Sequence, residues 1–137
     1  MRKYLVLGGS VLLLGLVFWV IYQYKLPHTN VAGEKPAVKI EAAELYRQYQ
    51  QDEDGSNKKY LNKIIEIKGT VKEVQKNDTS MNLLIGDKNA AGGISCSFLF
   101  EPGKNFIIPQ PGEASVIKGK CSGFLIDVIL VDCVIDQ

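Results

Sequence analysis

The stretch Tyr60-Leu61-Asn62-Lys63-Ile64-Ile65-Glu66-Ile67-Lys68-Gly69-Thr70-Val71-Lys72-Glu73-Val74 is the longest β-like pattern in the chain, and the remaining segments are read against it. Ile65, Ile67, Gly69 and Val71 fall on one face at period two, with Glu66, Lys68, Thr70 and Lys72 on the other, the pattern of a half-buried strand. From Ile64 to Val74 such a strand would extend about 36 Å at roughly 3.3 Å per residue, about twice the common length. A flat strand of that length is disfavoured, and a glycine in the middle of a strand, here Gly69, marks a bulge or bend. The expectation is one long strand that curls to serve two halves of a small barrel.

Downstream, Gln75 to Ser80 has turn composition and leads into a second strand, Met81 to Gly86, so the two form a hairpin. Asn77-Asp78-Thr79 matches a glycosylation sequon, but turn chemistry accounts for it fully. The loop from Asp87 to Gly93 lacks the residue order of a phosphate cradle. A third strand, Ile94 to Phe100, alternates: Ile94, Cys96, Phe98 and Phe100 face in, and Ser95, Ser97 and Leu99 face out. Glu101 to Gly112, rich in proline and glycine, is a long connection. Ser115–Cys121 and Asp127–Ile135 then supply a fourth and a fifth strand around Ser122–Ile126.

Upstream, Ile40 to Gln51 contains strong helix formers, acidic residues in its first turn and Leu45 and Tyr49 at i and i+4. Asp52–Asn57 ends or interrupts this helix, and Tyr46 and Tyr49 are expected to pack against the barrel. Leu26 to Val38 lacks periodicity and reads as a tether; the single histidine, His28, lies in it as a solvated residue. Tyr4 to Tyr22 carries no charge over nineteen residues, which as a helix would span about 28 Å, close to the hydrocarbon core of a bilayer. Arg2 and Lys3 precede it, and Phe18, Trp19, Tyr22 and Tyr24 gather at its far end like an interfacial aromatic belt. A cleaved secretory signal is the alternative, but no small-x-small site follows the apolar run. The division expected is therefore a transmembrane signal anchor over 1–25, a linker over 26–39 and a folded domain over 40–137.

The fold expected is mainly β: a five-stranded OB-fold Greek-key barrel with an N-terminal helix, preceded by a single transmembrane helix. The pieces Asn57–Lys63, Ile67-Lys68-Gly69-Thr70-Val71, Ile117–Gly123 and Asp127–Cys133 resemble the tRNA_anti-like OB-fold domains of bacterial envelope proteins, often lipoproteins. The resemblance covers roughly Ala42 to Ile135 and implies a compact OB domain outside the cytoplasm. The chain departs from the lipoprotein members in having no lipid-bearing cysteine after its apolar segment. The family's name implies anticodon-type nucleic-acid binding.

Charge argues against simple inheritance of that activity. The net charge is +1, yet from Lys25 onward 14 basic residues face 15 acidic ones, whereas phosphate binding calls for a basic excess or stripe. Single-strand binding by an OB-fold also calls for aromatic side chains on the outer face of its second and third strands. The second strand has none and the third turns its phenylalanines inward. The residues left for ligand binding are Lys68, Lys72, Lys76 and Phe124, although Phe124 could equally cap the barrel and the lysines are interleaved with Glu66, Glu73 and Asp78.

No catalytic set, cofactor site or metal spacing is visible in the sequence, and a non-enzyme is expected. Cys96 and Cys133 lie on strands that neighbour each other in OB topology, so a disulfide between them is one option and buried free thiols the other. The sequence points to a non-catalytic binding module held in the bacterial inner membrane through residues 4–22, its C-terminal domain periplasmic. The ligand expected is a protein or other envelope component; a membrane-tethered binder of single-stranded nucleic acid is the alternative.

Overall fold

The computed structural model describes residues 13–20, 22, 31–100 and 107–136. Most of the apolar segment 4–22, together with His28, lies outside these residues. Residues 13–20 are helical, and among the described residues no helix is long and apolar enough to cross a membrane.

A short 3-10 turn (Val31–Gly33) and strand β1 (Val38–Glu41) precede two helices, α1 (Ala42–Gln51) and α2 (Glu53–Tyr60). Five strands follow: β2 (Ile64–Lys76), β3 (Ser80–Ile85), β4 (Ile94–Leu99), β5 (Ala114–Phe124) and β6 (Val128–Asp136). β2 pairs with β3, β3 with β4, β4 with β6, β6 with β5, and β5 returns to β2, closing a five-stranded barrel. All these pairs are antiparallel except β4–β6, where Ile94, Ser95 and Cys96 lie parallel to Val128, Ile129 and Leu130. This is the OB-fold arrangement.

The long first stretch behaves as its glycine suggests. Residues 64–70 of β2 pair with β5, and residues 71–76 pair with β3 across a register shift between Val71 and Glu73. The change of partner occurs next to Gly69, where an added Cβ would stand 2.7 Å from Ile85 Cγ2 and 2.8 Å from the Ala42 Cβ. Only a residue without a side chain lets the bent strand, β3 and the start of α1 converge there.

Ile65, Ile67, Val71, Met81, Leu83, Ile85, Ile94, Cys96, Phe98, Ile117, Cys121 and Leu130 form the buried interior. Helix α1 lays Ala42, Leu45, Tyr46 and Tyr49 onto it, the i, i+3, i+4, i+7 stripe of an amphipathic helix. Tyr49 stacks on Phe124 with centroids 5.5 Å apart, and Tyr46 meets the same ring edge-on at 6.2 Å. The aromatic pair of α1 therefore closes one mouth of the barrel, as expected from its helical spacing.

Three parts of the N-terminal reading change. The helix begins at Ala42, because Val38–Glu41 pairs in parallel with Ile65–Lys68 as a sixth strand. Asp52 does interrupt it, but a second helix follows: the Asp52 carboxylate accepts from Gly55 N at 2.9 Å, and Lys58 and Lys59 sit in the last turn, where the helix dipole favours them. Tyr60, fully buried, ties α2 to α1 by donating its hydroxyl to Gln48 Oε1 at 2.6 Å.

The third change concerns the tether. Residues 31–39 are fastened to the barrel although most are exposed: Val31 is 2 % exposed, and Lys118, 9 % exposed, donates from Nζ to the carbonyls of Ala32 at 3.2 Å and Glu34 at 3.0 Å. Ala37 N then donates to Ile64 O at 2.8 Å. The folded body thus includes residues 31–39, which the sequence assigns to the linker.

Candidate functional site

The outward faces of β3 and β4 carry Ser80, Asn82 and Leu84 beside Leu99, Ser97 and Ser95 in direct register. Their inward partners Met81, Leu83, Ile85, Ile94, Cys96 and Phe98 fill the core, so strict period-two alternation fixes which residues are outside. Ser97 Oγ donates to Asn82 Oδ1 at 2.7 Å across the pair. Leu99 is exposed at the end of β4. The face holds hydroxyl, amide and aliphatic groups, with no charge and no ring.

Around this face the nominated residues separate. Lys72 occupies the bulge position of β2 and donates from Nζ to the Ala90 carbonyl at 2.8 Å and the Gly92 carbonyl at 3.1 Å. Its ammonium holds the loop between β3 and β4, a structural role. That loop is pinned from two further sides: Asp127 Oδ1 accepts from Gly93 N at 2.7 Å, and a Cβ on Gly92 would stand 2.5 Å from the Tyr46 hydroxyl. The close approach demands glycine.

Lys68 lines a cleft of about 450 Å³ at the start of α1, together with Glu41, Thr70, Asp87 and Lys88. Its two lysines and two carboxylates leave no net sign. Lys76 lies at the other end of β2 with Nζ 5.4 Å from the Phe100 ring centroid, a cation–π distance. Lys68 and Lys76 lie eight residues apart on β2, a contour of at most about 26 Å at 3.3 Å per residue, one on the half that pairs with β5 and the other on the half that pairs with β3. Phe124 is half-buried against Tyr46 and Tyr49 and serves the barrel mouth.

The turn 77–80 is built as its composition suggests: Asn77 Oδ1 accepts from the backbone N–H groups of Thr79 at 3.0 Å and Ser80 at 2.7 Å. Cys96, Cys121 and Cys133 are free and buried. Burial, reinforced by a hydrogen bond with Cys133, raises the Cys96 thiol well above the ordinary range. Burial also raises the Tyr49 phenol, and its contact with Cys121 Sγ at 3.2 Å adds to the shift. At the exposed end of α1 the Glu44 carboxyl is lowered by hydrogen bonds from Gln48 and Arg47. Among the described residues no three His, Cys, Asp or Glu side chains gather as a metal site.

Two features were not singled out from sequence. Lys118 reads as one more lysine in a strand, and only its covering by residues 31–34 reveals it as buried. Leu125 and Ile126, at the tip of the β5–β6 hairpin, are 78 % and 76 % exposed; their adjacency to turn residues hid them.

A closed barrel with β4 parallel to β6, capped by helices at one mouth, defines an OB-fold protein. More narrowly, the chain belongs to the tRNA_anti-like family, whose model matches residues 1–135. Among solved structures it is similar to a lipoprotein from Klebsiella pneumoniae subsp. pneumoniae MGH 78578 to which nucleic-acid binding is ascribed. The TM-score is 0.60 at 10 % sequence identity, over 81 % of this chain and 99 % of that one. At that identity the likeness concerns the fold. No curated protein matches the chain by sequence.

Proposed function

We propose that the protein is a membrane-anchored, non-catalytic OB-fold binding module of the bacterial envelope, with residues 4–22 as the anchor and the barrel outside the cytoplasm. Its ligand is a protein or another uncharged-surface envelope component. The observation that carries this reading is the outer face of β3 and β4, where Ser80, Asn82, Leu84, Ser95, Ser97 and Leu99 offer hydrogen bonds and aliphatic contact. Stacking platforms for bases need rings, and phosphate tracks need cations; this face has neither.

Photo-crosslinking from Leu99 in the full chain, in its native membrane, tests the ligand class. A discrete protein adduct, lost when Ser97 is replaced by a bulky residue, is the expected result. Adducts to nucleic acid alone would reject it.

The rival reading is a tethered binder of single-stranded nucleic acid, supported by the family name and by the activity ascribed to the Klebsiella lipoprotein. It requires affinity for single-stranded DNA or RNA that falls steeply with salt, with a log–log slope of about −0.7 per phosphate neutralised. Replacing Lys68 and Lys76 would flatten that slope.

A further inference from the structure

The β5–β6 hairpin ends in two adjacent large aliphatic residues, Leu125 and Ile126, that touch water over three-quarters of their surface. Burying one such side chain from water is favourable by an amount that makes a pair at a hairpin tip unusual unless it meets something. Leu61, 38 % exposed, extends the apolar surface: its Cδ1 lies 4.0 Å from where a Cβ on Gly123 would stand. The residues that follow Leu61, namely Asn62, Lys63 and Ile64, line a basic hollow of about 260 Å³. Lys35, Lys63 and Lys120 line it, with Glu34 as its single carboxylate. The hollow is tied to the strand that leads to the tip: Asn62 N donates to Cys121 O at 2.8 Å and Cys121 N donates to Lys63 O at 2.9 Å, four residues before Leu125.

We propose that this corner is a second membrane contact, in which Leu125 and Ile126 dip into the interfacial region of an anionic bilayer while Lys35, Lys63 and Lys120 face lipid phosphates. The chemistry matches: an apolar tip with a cationic flank suits an anionic interface. Chain length matches as well. Val31 is packed on the barrel, and eight residues separate it from Tyr22. A fully extended chain of that length reaches about 30 Å, so an anchored barrel stays within about that distance of the bilayer. The inference rests on the anchoring proposed above, and it assigns to the domain a preferred orientation on the bilayer.

The test uses the full chain in vesicles, with a nitroxide spin label on Ile126→Cys. Labelling is selective because Cys96, Cys121 and Cys133 are buried. In vesicles containing phosphatidylglycerol the label should collide with oxygen and be shielded from a water-soluble nickel chelate. In phosphatidylcholine alone the shielding should weaken. Replacing Lys63 and Lys120 by glutamine should lower the ratio of docked to undocked label about fivefold for each charge removed.

A chain that floats with the vesicles while its label stays equally open to the chelate in both lipids overturns the contact and leaves the anchor standing. A chain that does not float overturns both. A label immobilised in detergent, increasingly so with protein concentration, assigns the tip to a second copy of the chain and also overturns the proposal.

Discussion

Lys118 Nζ donates to the Glu34 carbonyl at 3.0 Å, and by this bond the chain leading into the domain is fastened to the outside of strand β5. The same ammonium donates to Ala32 O at 3.2 Å. A buried cation between two carbonyls is an effective latch, since hydrogen bonds to charged groups contribute about 1.5–3 kcal/mol. Lys118→Met keeps the aliphatic stem and removes the donors. Denaturant unfolding in detergent should show a loss of about 1.5–3 kcal/mol, with amide exchange rising first over residues 31–37.

Phe124 and Lys72 distinguish structure from binding at residues that resemble an OB ligand site. Phe124→Ala empties the space under Tyr46 and Tyr49, and a half-buried ring should cost about 2–3 kcal/mol, somewhat under the range for a fully buried phenylalanine. Lys72→Met releases the carbonyls of Ala90 and Gly92 and should raise proteolysis of the 86–93 loop. Neither change should alter ligand crosslinking at Leu99 under conditions where the variant remains folded. A loss of crosslinking with unchanged stability would return these residues to the binding site.

Gly69→Ala places a methyl group 2.7 Å from Ile85 Cγ2 and 2.8 Å from the Ala42 Cβ. Overpacking of this kind costs about 1–3 kcal/mol. The midpoint of urea unfolding should fall, and Ala42→Gly in the same chain should recover part of the loss by clearing one of the two contacts.

Stability should decline on the alkaline side. Cys96 and Tyr49 both have folded-state ionisations pushed upward by burial, so the folded protein retains protons that the unfolded chain releases. Their contribution is complete below the unfolded values. It is lost as pH rises, first past about 8.5 for the thiol and then past about 10 for the phenol. Equilibrium unfolding between neutral and strongly alkaline pH should show this two-stage fall. Cys96→Val should remove the earlier stage and leave the tyrosine stage.

The five barrel strands were legible because each has one face buried, and burial leaves a period-two trace in the residues themselves. Strand β1 left no such trace: four residues, Val38–Glu41, are too few for periodicity to stand out beside Pro36 and Gly33. Helix α2 was hidden for another reason. Glu-Asp-Gly-Ser-Asn-Lys-Lys-Tyr is almost wholly polar, and it is helical because Asp52 caps it and Tyr60 reaches Gln48 on the preceding helix. The role of Lys72 on β2 was hidden likewise. Lys72 looks like its neighbours in sequence, but the bulge turns it toward carbonyls eighteen and twenty residues away.

Sequence alone determined the five barrel strands, the bend at Gly69, the inward and outward residues of β4, and the absence of outward rings from β3 and β4. Those properties depend on local alternation and composition. Tertiary structure decided the closure of β5 onto β2, the parallel contact of β4 with β6, the latch of Lys118 on residues 32 and 34, and the gathering of Lys35, Lys63 and Lys120 around one hollow. Each of these brings together segments far apart in the chain. Their pairing is selected by the shape of the whole core and leaves no periodic mark on either partner.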